Sequence, residues 1–209
     1  MFKRALASFT LAAVATLSST GQNPDTRKVA PVTLTYMGTA AWEISDGTTV
    51  ILIDPYLSRI LLPIPGAGSA ATGPVPGDTR PMHNWNDIAT PDVTTIDAHV
   101  QRADFILVTH THVDHVMDVP HIALKTHATV IGTESTENVM RAYSVPEEQL
   151  ITVRGGEDYE FGKFSLRVIP SIHSALDHKH YFSSAKAPEG MKAPLTLEQM
   201  NRRGAPLHT

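Results

Sequence analysis

The chain has 209 residues, 42% of them hydrophobic and 18% charged, enough for one domain around a packed core and too apolar for a disordered or fibrous chain. Its net charge of −4 offers no basic field for nucleic acid. Cysteine is absent while histidine occurs 11 times. Disulfides, thiolate metal sites and cysteine nucleophiles are therefore excluded, and any transition-metal site must use imidazole and carboxylate.

Residues 1–20 read as a secretory signal peptide. Lys3 and Arg4 give the positive start, 5–15 form a short apolar run, and Ala13, Val14 and Ala15 make a small-residue exit. The run is shorter than the roughly 20 apolar residues a bilayer span needs. The expected mature chain is exported, periplasmic or secreted, with no stable membrane insertion after signal removal. Residues 21–31 are a polar arm, and 32–209 form the single domain.

Along that domain, 32–36 alternates with period two and reads as a strand, with a break at Gly38. A second strand follows at 41–44, then Asp46 and Gly47 as a hairpin turn. The continuously apolar 49–53 reads as a strand buried on both faces, ending at Asp54 and Pro55. Residues 60–92 are crowded with proline and glycine, a surface insertion or a loop capping a pocket through His83 and Trp85. A short helix is expected at 94–102 and a buried strand at 105–109. A further helix should run from about 119 to Lys125, with Asp118 as its cap and Pro120 in its first turn. Strand 128–132, helix 135–143, strand 149–153, a hairpin corner at 161–164 and strand 166–170 complete the reading. Strands interleaved with helices indicate a layered α/β fold.

The chemistry concentrates at one place. Thr109, His110, Thr111, His112, Val113, Asp114 and His115 follow a buried strand with no spacer. Strand ends in layered α/β folds are where sites are built. In extended backbone His110 and His112 alternate onto one side, and Asp114 and His115 can face a second ion beside the first. Four such donors in six residues suit Zn, Mn or Fe.

This H-x-H-x-D-H motif resembles that of the metallo-β-lactamase superfamily, and the resemblance covers residues 32 to about 200. The stretches around Gly38, Asp54 and His173 (YMGTA, DPYLS, PSIHS) look like the branch of L-ascorbate-6-phosphate lactonase-like and phospholipase D-like proteins. The resemblance implies an αββα four-layer sandwich. It implies one metal on His110, His112 and His173, and a second on Asp114 and His115. Asp54 would be a carboxylate orienting a ligand imidazole, and His178 and His180 would contact substrate. The cofactor implied is Zn, two ions, with Mn or Fe also compatible. The implied chemistry is attack by a metal-bound hydroxide on an ester, lactone or phosphodiester of a small or lipid-like substrate, Asp114 orienting the nucleophile and passing a proton.

The family pattern also requires a later bridging Asp and a final His, whereas this chain stops 36 residues after His173. The sandwich is therefore expected to be incomplete in its C-terminal half, which exposes a sheet face and makes an oligomer possible. The tail 202–209 departs from the resemblance. A shifted frame of a codon string for Thr-Leu-Ala-Tyr-Leu gives Ala-Pro-Leu-His-Thr and a stop, matching 205–209. Three readings stay open: a binuclear hydrolase, whole or truncated; a single-ion or inactive remnant; and an exported binding protein using loop 60–92. Phe182, Trp85, Tyr56 and Leu57 are candidates for pocket lining.

Overall fold

The structure, a computed structural model, describes residues 31–62, 78–171 and 186–201. The signal peptide, most of the polar arm, residues 63–77 of the insertion, His173, His178, His180, Phe182 and the tail 202–209 lie outside the described residues.

The apolar runs form a six-stranded sheet in the order β1-β2-β3-β4-β5-β6. Its strands are β1 (Thr33–Gly38), β2 (Ala41–Ser45), β3 (Val50–Ile53), β4 (Phe105–Leu107), β5 (Thr129–Gly132) and β6 (Leu150–Thr152). The first three are antiparallel; β3 to β6 are parallel and joined by helical crossovers. The helices are α1 (Val93–His99), α2 (Val113–Val116), α3 (Val119–Thr126), α4 (Glu134–Ala142) and α5 (Leu197–Met200). Strands β7 (Asp158–Glu160) and β8 (Ser165–Arg167) make a separate hairpin, turning at Gly162 with φ 78°. The mixed α/β fold with a central sheet is thus as expected.

Register explains the two faces. Leu52, Ile106 and Val130 sit side by side across β3, β4 and β5. All three are fully buried, in one core with Ile96 of α1, Ile122 of α3, and Val139 and Met140 of α4. Period two sends their neighbours to the opposite face. There Tyr36, Trp42, Ile53, Leu107, Ile131 and Ile151 form an apolar row. At one end of this face Phe161 and Phe164 from the hairpin corner pack on Phe105, with ring centroids 4.8 and 5.0 Å away. At the other end Leu34 and Tyr36 stay exposed.

Two expectations are corrected. Strand β3 is not buried on both faces: Leu52 is fully buried, but Ile51 and Ile53 on the opposite face are half-buried. Asp118 is the residue before α3, yet its side chain makes no capping bond. Its carboxylate turns away to take the N–H groups of Leu57 and Ser58 at 2.6 and 2.9 Å and the Ser58 hydroxyl at 2.5 Å. Three donors outside the helix outcompete the helix's own N-terminus. Trp85 packs against the main core, and Tyr56 is buried within it.

Helix α4 is enclosed almost all round. Gly132 permits its close start, since a β-carbon there would meet Thr136 at 2.8 Å. Asn138 donates to the Ala187 carbonyl at 2.8 Å, and the Ser135 hydroxyl accepts from the Ala187 N–H. Glu137 is fully buried, and among the described residues neither carboxylate oxygen has a hydrogen-bond partner. Burial pushes its carboxyl up to about 8.

Candidate metal centre

The motif leaves β4 through a bend at Thr109 and His110 and reaches His112 in extended backbone, and its side chains sort to two sides. Thr111 points inward, fully buried, with its hydroxyl 2.8 Å from that of Thr136 on α4. His110 and His112 therefore emerge on the other side, His110 Nε2 2.9 Å from His112 Nδ1. The chain then turns into α2. Val113 and Val116 bury its inner side, and the Asn201 side chain beyond α5 accepts the Val113 N–H at 3.3 Å. Asp114 and His115 stay on the outer side, Asp114 Oδ2 3.5 Å from His115 Nε2. The rings of His110 and His115 are 4.0 Å apart, those of His110 and His112 4.5 Å.

Asp54 ties this cluster to the sheet. It ends β3 in a left-handed conformation, φ 44°, and is 2% exposed. One oxygen takes the Thr109 N–H at 2.8 Å, the other the Thr109 hydroxyl at 2.7 Å. The second oxygen also lies 2.9 Å from His115 Nδ1. Burial alone would lower the basicity of His115, but the Asp54 bond and the charges of Asp54 and Asp114 outweigh it and raise the imidazole above its ordinary value. Next to the cluster, burial raises the Asp118 carboxyl despite its three donors.

The structure thus brings together five sequence-predicted residues, His110, His112, Asp114, His115 and Asp54. They form two facing donor pairs with a carboxylate behind one of them. Among the described residues no group of three or more His, Asp or Glu converges closely enough to hold an ion. Sequence reasoning missed two supporting residues. Thr109 ends the expected strand and opens the motif, and its hydroxyl beside the candidate ligands is the signal of its supporting part. Asp118 is expected only as a helix cap, and no local signal points to its bonds with Leu57 and Ser58.

A family profile described as "Beta-lactamase superfamily domain" matches residues 33–185. The chain belongs to the beta-lactamase superfamily. A UPF0173 metal-dependent hydrolase of Myxococcus xanthus is 29% identical over 161 residues, covering 75% of this chain and 46% of the relative. The UPF0173 metal-dependent hydrolase SH1218 of Staphylococcus haemolyticus is 31% identical over 96 residues, covering 46% of this chain and 39% of the relative. Among solved structures, the metallo hydrolase Igni18 of Ignicoccus hospitalis is similar at 19% identity and TM-score 0.44, covering 72% of this chain and 52% of that one. The matches to these two curated superfamily relatives span less than half of the relatives' own length.

Proposed function

We propose that this superfamily member serves metal-dependent hydrolysis, with His110 and His112 as donors to one divalent ion and Asp114 and His115 turned toward a second. The observation that carries the reading is the pairing itself. Ring nitrogens face each other at 2.9 Å in one pair, and imidazole faces carboxylate at 3.5 Å in the other. A cysteine-free donor set of imidazole and carboxylate fits Zn, Mn or Fe, and Zn is the ion proposed. The resemblance adds His173 as the third donor of the first group.

A divalent ion bound there supplies Lewis-acid chemistry, making water acidic enough to react near neutral pH and polarising the electrophile. The chain's own residues do the rest. Asp54 accepts the Nδ1 proton of His115 and so fixes the tautomer that leaves Nε2 free to donate electrons. Thr109 holds Asp54 in place through two bonds. Asp114, half-exposed at the mouth of the cluster, orients the attacking water and carries its proton to the leaving group.

The proposed substrate class is an ester, lactone or phosphodiester, small or lipid-like, and the proposed branch is the lactonase-like and phospholipase D-like one. The motif stretches around Gly38, Asp54 and His173 support it. The chain is proposed to be exported, on the strength of Lys3, Arg4 and the apolar run 5–15. Among the described residues no helix is long and apolar enough to cross a membrane.

The test is metal counting on the purified chain, together with hydrolysis of ester, lactone and phosphodiester probes. Two ions per chain, with His112→Ala and His173→Ala each losing metal and hydrolysis, support the reading. One ion with residual hydrolysis replaces it with a single-ion site. Stable folding with no bound metal, or hydrolysis indifferent to a chelator, overturns it.

A further inference from the structure

A cavity whose lining includes none of the motif residues 110–115 lies between β1, the loop after β3, and α1. Its volume is about 470 Å³, and Tyr36, Met37, Gly38, Leu57, Arg59 and His99 line it. That size suits a small-molecule ligand. Strand β1 is three positions from β4 in the sheet.

Arg59 is fixed at this cavity by the backbone around it. Its φ is 45° and that of Gly38 is 100°, both in the left-handed region. The guanidinium lies across Gly38 and donates through Nη2 to the Met37 carbonyl. A β-carbon on Gly38 would run into it, with Cζ only 2.7 Å away. Arg80 holds the Arg59 carbonyl from outside, at 2.5 Å. Arg80, Arg102, Arg141 and Arg167 each face a carboxylate. Among the described residues, Arg59 faces a backbone carbonyl and no carboxylate at ion-pair distance. One N–H is spent on positioning, which leaves the remaining donors of the fork for an oxyanion. The wall beside them is apolar: Leu57 is 7% exposed, and Met37 packs on the core.

We propose that this cavity binds a small amphiphilic oxyanion, a carboxylate or phosphate monoester, with its charged end on Arg59 and its apolar body against Leu57, Met37 and Tyr36. The fork geometry selects the anion, and the wall selects the chain attached to it.

The test is titration calorimetry on the metal-free 209-residue chain with octanoate, octyl phosphate, acetate, inorganic phosphate and octanol. Octanoate or octyl phosphate should bind at least tenfold tighter than acetate or inorganic phosphate, and tighter than octanol. The better of the two identifies the charged group. Arg59→Gln should weaken binding tenfold or more and Arg59→Lys by less. Ile169→Ser, exposed beyond β8 and outside the lining of the cavity, should leave it unchanged. Amide chemical shifts of the unsubstituted chain should move at Gly38 and Leu57, a readout that survives if Arg59→Gln fails to fold. Equal binding of octanol and octanoate, an unaffected Arg59→Gln, a loss with Ile169→Ser as large as with Arg59→Gln, or the absence of saturable binding would each overturn the proposal. Because metal is left out, such a failure leaves the hydrolase reading standing.

Discussion

The Asp54 carboxylate reaches from the end of β3 to within 2.9 Å of His115 Nδ1, and the same carboxylate binds Thr109 twice. The parallel register of β3 and β4 stands behind that contact. Ile53 pairs with Leu107, so the residues that follow each of them leave the sheet side by side. Asp54→Asn keeps the shape but replaces one accepting oxygen with an amide that competes for the same donors. Metal affinity, measured by chelator competition, should fall roughly 10- to 100-fold. Unchanged affinity would remove Asp54 from the site.

Asp118 ties the loop after β3 to the start of α3. Asp118→Ala strands two backbone N–H groups, those of Leu57 and Ser58, in partly buried surroundings. The expected cost is about 2–4 kcal/mol in urea unfolding. Asp118→Asn retains one accepting oxygen and should cost less. Equal stability of all three proteins would refute the anchor.

Glu137 makes folding pH-dependent. Its carboxyl holds a proton in the folded chain up to about pH 8, whereas an unfolded Glu loses it near 4.5. Unfolding therefore releases a proton between those values, and stability falls as pH rises through the window, by up to about 1.4 kcal/mol per pH unit. Glu137→Gln abolishes the dependence. Its stability relative to the parent should rise markedly from pH 5 to pH 8.5. A constant difference at the two pH values would contradict the assignment.

Gly38→Ala should destabilise by about 1–3 kcal/mol, from the positive φ and the overlap with Arg59. Part of this cost belongs to the pair. In an Arg59→Ala background the same change should cost measurably less, a coupling visible in a double-mutant cycle. Strict additivity would mean that the two residues do not touch.

The sequence by itself determined the order of the sheet strands and of α1, α3 and α4, because periods of two and continuous apolar runs are local signals, while the one-turn helices α2 and α5 are too short to leave one. It also set the residue types on offer: without cysteine, a motif with three His and one Asp in six residues presents only imidazole and carboxylate to a metal. What it overstated was burial. A continuously apolar strand such as β3 reads the same whether one face or both are covered, so the half-exposed Ile51 and Ile53 were invisible. Only the tertiary structure decided which side chains meet. Asp54 and Thr109 are 55 positions apart, Asp118 and Leu57 are 61 apart, and Val113 and Asn201 are 88 apart. Contacts of that range depend on sheet register and on where loops land, which no local pattern encodes. The same holds for Arg59. Its charge is legible in the chain, but its lodging on Gly38 follows from a loop that crosses from β3 to β1.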